Sequence, residues 1–549
     1  MENRIFTSQT LWNDINIDSD GKSETLLEIN ADGLRLSRIY FNGRTTEEGN
    51  VVKIFASVLT PPEIKEKNAL LVVGNIRDPI RENFLKHLAK DLNLCVMGID
   101  VYSSAITSDK TKYPDEICYA RRENAVNDLY DVPEDCRKTC WYEWIISSLY
   151  AVDFLFKNGL KKVSVLGIDS GANVLWKTIA VDKRVTCACM INGVGWEMYK
   201  GKFKYGEDNE PEFNESVYRY LSCYDAQTYA KQVQVPVMIV SETNNPNFDA
   251  DRAVDTYLRL ASKNSCSYYV VGSDCYLDEK AFENVETFII QQFAGKEVEK
   301  SFLPEIKTQA GKDGIIIKIT NSDNARVFAS QGRINPSSRY WEELFGDGEK
   351  YLYKKQGDSK YAFIIAETTL KDGLSIASGI NAVKFDEDEK GADELDRIIY
   401  NSDDEFIPFI PELKKEKLAY ATLLDEEDKV VKKKGPFGIY GITSQNGLKT
   451  YKVGLGKTKP DDELSLMMDV YSECGATVTI SYTENVNMKN ERRYSCAVKL
   501  HSSKVWEKVI VDIKKCFDKD HIAHTSYKNK EALTITYSEE CLFNNILWI

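Results

Sequence analysis

Between residues 35 and 295, short apolar runs alternate with stretches whose apolar residues recur at helical spacing. Val51–Leu59 alternates loosely and stops at Pro61 and Pro62, as a strand should. Ala69–Gly74 is apolar throughout, the pattern of a strand covered on both faces, and Leu94–Asp100 repeats it. Between them, Arg81 to Leu92 reads as a helix with Phe84, Leu85, His87 and Leu88 along its inner side. Glu143 to Asn158 predicts a second helix through Ile145, Leu149, Val152 and Phe156. Further strands are expected at Val163–Gly167, Cys187–Ile191, Pro236–Ser241 and Tyr268–Val271, with a helix from Gly171 and a closing one from Glu283 to Phe293. Strand–helix alternation of this kind predicts a doubly wound, mostly parallel sheet with helices on both faces.

Beyond residue 300 the texture changes. Lys300–Gly314 reads as a linker, and short alternating strands follow at Ile315–Thr320, Tyr361–Ala366, Leu374–Ala377, Leu464–Val470, Ala476–Tyr482 and Leu533–Tyr537, with Asn544–Ile549 closing the chain. The acidic run Asp386–Asp396 and the proline-bearing Phe406–Pro411 divide them into two β-rich units of sandwich or jelly-roll type. The expected organisation is an N-terminal extension (1–35), an α/β domain (36–298), a β-rich domain (299–412) and a β-sandwich (413–549).

Composition narrows the function. The 71 Lys and Arg against 85 Asp and Glu leave a net charge of -14, which argues against a nucleic-acid surface. No apolar stretch is long enough to span a bilayer and no signal peptide is readable, so a cytoplasmic protein without a membrane partner is expected. The 13 cysteines are scattered, and Cys136/Cys140 and Cys187/Cys189 lack a second ligand pair, so buried thiols are expected and no metal or cofactor. Histidine is scarce: His87, His501, His521 and His524 are all there are.

The densest chemistry lies at Gly167-Ile168-Asp169-Ser170-Gly171, where a strand runs straight into a helix. That is the setting of a nucleophile elbow, G-x-S-x-G, whose small outer residues allow a tight turn. Counted from the glycines, the tip is Asp169 and not a serine. Ser170 takes the tip only if Ile168 sits where a small residue belongs; otherwise it supplies the oxyanion N–H. Asp169 is also placed to cap the helix that follows.

With Glu242-Thr-Asn-Asn-Pro246 and Gly272-Ser-Asp-Cys-Tyr-Leu-Asp278, each after a strand, this elbow resembles that of the acetyl-xylan esterase and cephalosporin-deacetylase-like branch of the α/β-hydrolases, across about residues 35–295. In that branch the second segment usually reads G-T-N-D-P and its Asp orients a histidine, which lies three residues after a glycine in the third. The resemblance places the acid on Asn245 and the base on Cys275, so all three triad positions are altered. Tyr113–Tyr119 and Cys140–Trp144 are similar to the segment that crosses the sheet before the elbow.

A serine hydroxyl or an elbow carboxylate needs an imidazole to complete hydrolysis, and the α/β unit offers only His87, on a helix. Candidate substrate-binding residues are Gly74 and Asn75 at the end of the first buried strand, Trp141 and Trp144, and Trp506; Tyr482 and Trp548 are further stacking candidates. Each tryptophan has a core-packing alternative. Asp520–His524 could hold a metal pair or lend a base, or be a polar loop. Two functions stay open: a catalytically silent protein binding a carbohydrate, an acylated sugar or a protein partner, and a carboxylic-ester hydrolase with an atypical site around Asp169, Ser170 and Cys275.

Overall fold

A computed structural model describes residues 5–64, 66–104, 109–125, 129–196, 213–246, 248, 250–322, 324–332, 336–346, 350–357, 359–386, 391, 395–413, 422–423, 428–454, 460–488, 490–502, 504–523 and 526–549. Nine strands form the first sheet: β1 (Ser23–Ala31), β2 (Leu34–Thr45), β3 (Val51–Thr60), β4 (Asn68–Val73), β5 (Cys95–Asp100), β6 (Lys162–Ile168), β7 (Ala188–Ile191), β8 (Val237–Glu242) and β9 (Cys266–Val270). Their spatial order is β1-β2-β3-β5-β4-β6-β7-β8-β9. The pairs β1–β2, β2–β3 and β3–β5 are antiparallel, and every pair from β5 onward is parallel. After its added first strand this is an α/β-hydrolase-like sheet.

The apolar runs explain the layering. In β4, Ala69, Leu71 and Val73 join one hydrophobic core while Leu70 and Val72 join the other, on the opposite face. Each such side chain, fully buried, contributes about 1.5–3 kcal/mol. The helices are α1 (Glu82–Leu92), α2 (Arg122–Ala125), α3 (Cys140–Lys157), α4 (Ser170–Val181), α5 (Glu215–Cys223), α6 (Ala226–Ala230), α7 (Ala250–Leu258) and α8 (Glu279–Phe293). Helices α3 and α4 cover one face and α1 and α8 the other. Thr139 starts α3 by accepting the N–H of Tyr142 at 3.2 Å, and Asp278 caps α8 through Ala281 N at 2.8 Å.

Downstream, a three-stranded sheet (Glu305–Gly311, Gly314–Thr320, Lys350–Tyr353) and a five-stranded one centred on Tyr361–Thr369 enclose a small core of their own. The C-terminal unit is a sandwich of six- and five-stranded sheets packed on Val478, Ile480, Leu533, Phe543 and Trp548.

Three expected boundaries move. The N-terminal segment is no separate extension: β1 lengthens the large sheet, and Leu11 and Trp12 are buried in its core. The exposed faces of β1 gave no alternation to read. Residues 305–311, expected within a linker, form a strand paired along its whole length with Gly314–Thr320. Ile398–Tyr400 pairs with the last strand of the chain, so the sandwich draws in residues from before 413. The acidic run 386–396 lies mostly outside the described residues.

Candidate functional site

At the end of β6 the chain turns into α4 through Asp169, at φ 53° and ψ -115°. A positive φ is uncommon for a residue with a Cβ and marks a turn imposed by its surroundings. Packing imposes it here. A Cβ on Gly167 would lie 2.4 Å from Ala172 Cα, and one on Gly171 would lie 2.0 Å from Val73 O. The elbow is therefore formed as the spacing predicted, with Asp169 at its tip and Ser170 as the first residue of α4.

Helix capping, expected of Asp169, does not occur: its side chain makes no bond to the first turn of α4. Capping residues take extended backbone, and the elbow conformation aims the side chain elsewhere. Its Oδ2 accepts the Asn75 amide at 2.8 Å. Asp169 is 2% exposed.

Ser170 turns toward the loop after β4. Its Oγ accepts Ile76 N–H at 2.8 Å and the Tyr102 hydroxyl at 3.2 Å. In an α/β-hydrolase that loop lends the second oxyanion donor; here Ile76 N–H is already taken up by a side chain. Gly74 backs the turn, with its carbonyl 2.5 Å from where a Gly171 Cβ would stand. Asn75 holds the loop as well as Asp169, since its Oδ1 accepts Arg77 N at 2.9 Å.

Close to Asn245 lies a buried carboxylate that sequence reasoning passed over. Glu242 ends β8, is fully buried, and accepts the Asn245 amide at 2.9 Å. Burial pushes its carboxyl up to about 8, aided by the charge of Asp169 and opposed by the hydrogen bond from Asn245. The same carboxylate acts on Cys275. Glu242 thus bonds Asn245 directly, and its charge is felt at Asp169 and Cys275. An acidic residue closing the otherwise apolar run 236–241 was the available signal.

Cys275 is 4% exposed and packs against Leu413 and Tyr276. Burial first, then the charge of Asp274, holds its thiol well above the ordinary cysteine range, and its Sγ donates to Asp274 Oδ1 at 3.0 Å. Asp274 is tied to the C-terminal sandwich: Lys449 Nζ lies 2.7 Å and the Tyr451 hydroxyl 2.9 Å from its Oδ2. Lys449 and Tyr451 lower its carboxyl against the opposing effect of burial. The acid-side loop is docked similarly. Asn244 donates to Arg339 O at 2.7 Å and accepts Trp341 Nε1 at 3.1 Å, while the buried Arg339 grips Asp251 through two bonds.

No described histidine reaches the elbow. His87 is exposed on α1 beside Asp91 and Glu286, and His501 and His521 are exposed on the sandwich. His524 lies outside the described residues, so the pairing of His521 with His524, as a metal pair or as a polar loop, lies outside them too. Trp141 and Trp144 do not line a cleft: both are buried, 5.2 Å apart edge-on, with their N–H groups on Leu129 O and Ala120 O. Tyr482 and Trp548 are core residues of the sandwich. Trp506 is half-buried against Gly435 and Gly441.

Where the loops meet the downstream units, Tyr276, Phe328, Tyr340, Trp341, Phe409 and Lys449 line a cavity of about 190 Å³.

No family model matches the chain, and no curated protein matches it. Solved structures similar to it include an acetyl xylan esterase from Paenibacillus sp. R4, 14% identical with a TM-score of 0.38, over 52% of this chain and 91% of that one. Acetyl xylan esterase 1 from Thermoanaerobacterium sp. JW/SL YS485 is 14% identical with a TM-score of 0.36, over 50% and 89%. Est1E from Butyrivibrio proteoclasticus, solved with ferulic acid, is 12% identical with a TM-score of 0.33, over 49% and 99%.

Proposed function

We propose that this chain is a catalytically silent relative of the carbohydrate esterases that acts by binding. The observation that carries the reading is at the base position. Cys275 holds a buried, protonated thiol on Asp274, and Lys449 and Tyr451 of another unit fix Asp274 in turn. A thiol kept in this state neither accepts a proton from a nucleophile nor attacks by itself. The loops that carry acid and base in an esterase serve here as joints between domains.

The ligand class this reading favours is a single sugar ring, taken in the cavity at those joints. Its aromatic walls offer stacking faces, and domain junctions are common binding places. A fluorescence titration with monosaccharides and acetylated sugars, repeated on Trp341→Ala, tests the binding. Saturable binding lost in the variant is expected; no binding by any of them removes the ligand class.

One observation favours a second reading, an atypical carboxylic-ester hydrolase. Glu242, at about 8 beside Asp169, is a group able to move a proton near neutral pH. Purified protein is expected neither to turn over acetyl esters nor to react with a serine-hydrolase probe. Turnover abolished by Asp169→Ala and by Glu242→Gln would establish the hydrolase instead.

A further inference from the structure

The sandwich presents a hairpin, Val431–Lys434 paired with Tyr440–Thr443, whose tip contributes nothing to the core. The turn Gly435-Pro436-Phe437-Gly438 is closed by Gly435 N–H on Ile439 O at 2.8 Å. Phe437 sits at φ 59° and ψ 14°, and its ring is 83% exposed. A bulky residue in the left-handed region is a true outlier, and here it stands between Pro436 and Gly438, in a position glycine would accept freely. Ile439 and Tyr440 beside it are also exposed.

The tip is braced from behind. The Trp506 ring lies 2.8 Å from where a Cβ on either Gly435 or Gly441 would stand, and its Nε1 donates to Pro436 O at 3.3 Å. Three consecutive exposed lysines, Lys432, Lys433 and Lys434, lead into the turn. Lys432 reaches the Ser402 and Asp404 carbonyls, Lys433 pairs at the surface with Glu540, and the Lys434 stem runs beside Gly438. The exposed Lys433–Glu540 pair is of the weak surface kind and is readily exchanged for another anion.

We propose that this tip docks on an anionic lipid bilayer, with Phe437, Ile439 and Tyr440 entering the boundary between headgroups and acyl chains and the lysines meeting the headgroups. A convex, rigid ridge of aromatic and aliphatic side chains backed by lysines fits a lipid surface, where aromatic rings concentrate and each basic residue adds attraction. The net charge of -14 opposes such contact at long range, but screening within about 8 Å at physiological salt leaves the tip's own charges to decide it. Among the described residues no helix is long and apolar enough to cross a membrane.

Co-sedimentation of the full chain with phosphatidylcholine vesicles, with and without one-third phosphatidylserine, tests the proposal. Binding to the serine-containing vesicles is expected, and high salt should release it. Phe437→Gly should lower the partition by about tenfold or more, the loss expected for one unburied aromatic ring. The same variant should melt no lower than the parent, since glycine relieves the positive φ, so a folding defect cannot imitate the result. Lys434→Glu should also weaken binding, and Phe345→Ser, which removes an 89% exposed ring on another unit, should leave it unchanged. No binding to the anionic vesicles at low salt, equal binding to both kinds, or undiminished binding by Phe437→Gly would each overturn it.

Discussion

Replacing Glu242 by glutamine should remove a pH-dependent weakness from the α/β domain. The carboxyl rises from 4.5 to about 8 on burial in the folded chain. Below pH 4.5 it is protonated whether folded or not, and costs nothing. Between 4.5 and 8 the folded chain holds a proton that the unfolded chain releases, so stability falls as pH rises. At about 1.4 kcal/mol per pH unit, the loss by pH 8 is on the order of 5 kcal/mol. Glutamine can still accept the Asn245 amide but does not ionise. Thermal melts of parent and Glu242→Gln from pH 5 to pH 9 should therefore nearly coincide at the acid end. At the alkaline end the variant should be the more stable by about 10–20 °C, taking about 2–4 °C per kcal/mol for a domain of this size. Other groups titrate over the same range, so the difference between the two curves is the quantity to read. A difference that stays constant across that range would show that Glu242 ionises in the folded state as easily as in water.

Gly171→Ala should lower the melting temperature by at least about 10 °C or prevent folding, because its Cβ would stand 2.0 Å from Val73 O and backbone cannot yield cheaply. Lys449→Met should destabilise by about 3–5 kcal/mol in urea unfolding, since Asp274 would be left charged and buried, and Asp274→Leu with Lys449→Met should recover much of the loss. The triple change Asp169→Ser, Asn245→Asp and Cys275→His should yield no acetyl-ester turnover. The imidazole would have to enter a site packed by Leu413 and Tyr276, and Ile76 N–H is occupied by Ser170.

The parallel strands were readable because both faces of each are covered, leaving apolar runs such as Ala69–Val73 that little else produces. The elbow was readable for a different reason: two glycines at fixed spacing between a strand and a helix encode a shape. Glu242 was hidden because one acidic residue at a strand end looks like the start of a loop, whereas groups distant in sequence, Asp169 and Asn192, act on it in the fold. Trp141 and Trp144 misled because an aromatic side chain suits a cleft and a core equally well, and only the packing of α3 against its neighbours separates the two. The docking of Asp274 on Lys449 spans 175 positions, beyond any local pattern.

The bend at residue 169 is set by the packing of the backbone and not by the side chain it presents. Its cause lies below, in how closely α4 approaches its neighbouring strands, where Gly167, Gly171 and, after β7, Gly193 leave no room for a Cβ. Backbone contour and side-chain chemistry are consequently set by different residues in this molecule. A comparison by shape reads that contour and is blind to the side chain at its tip.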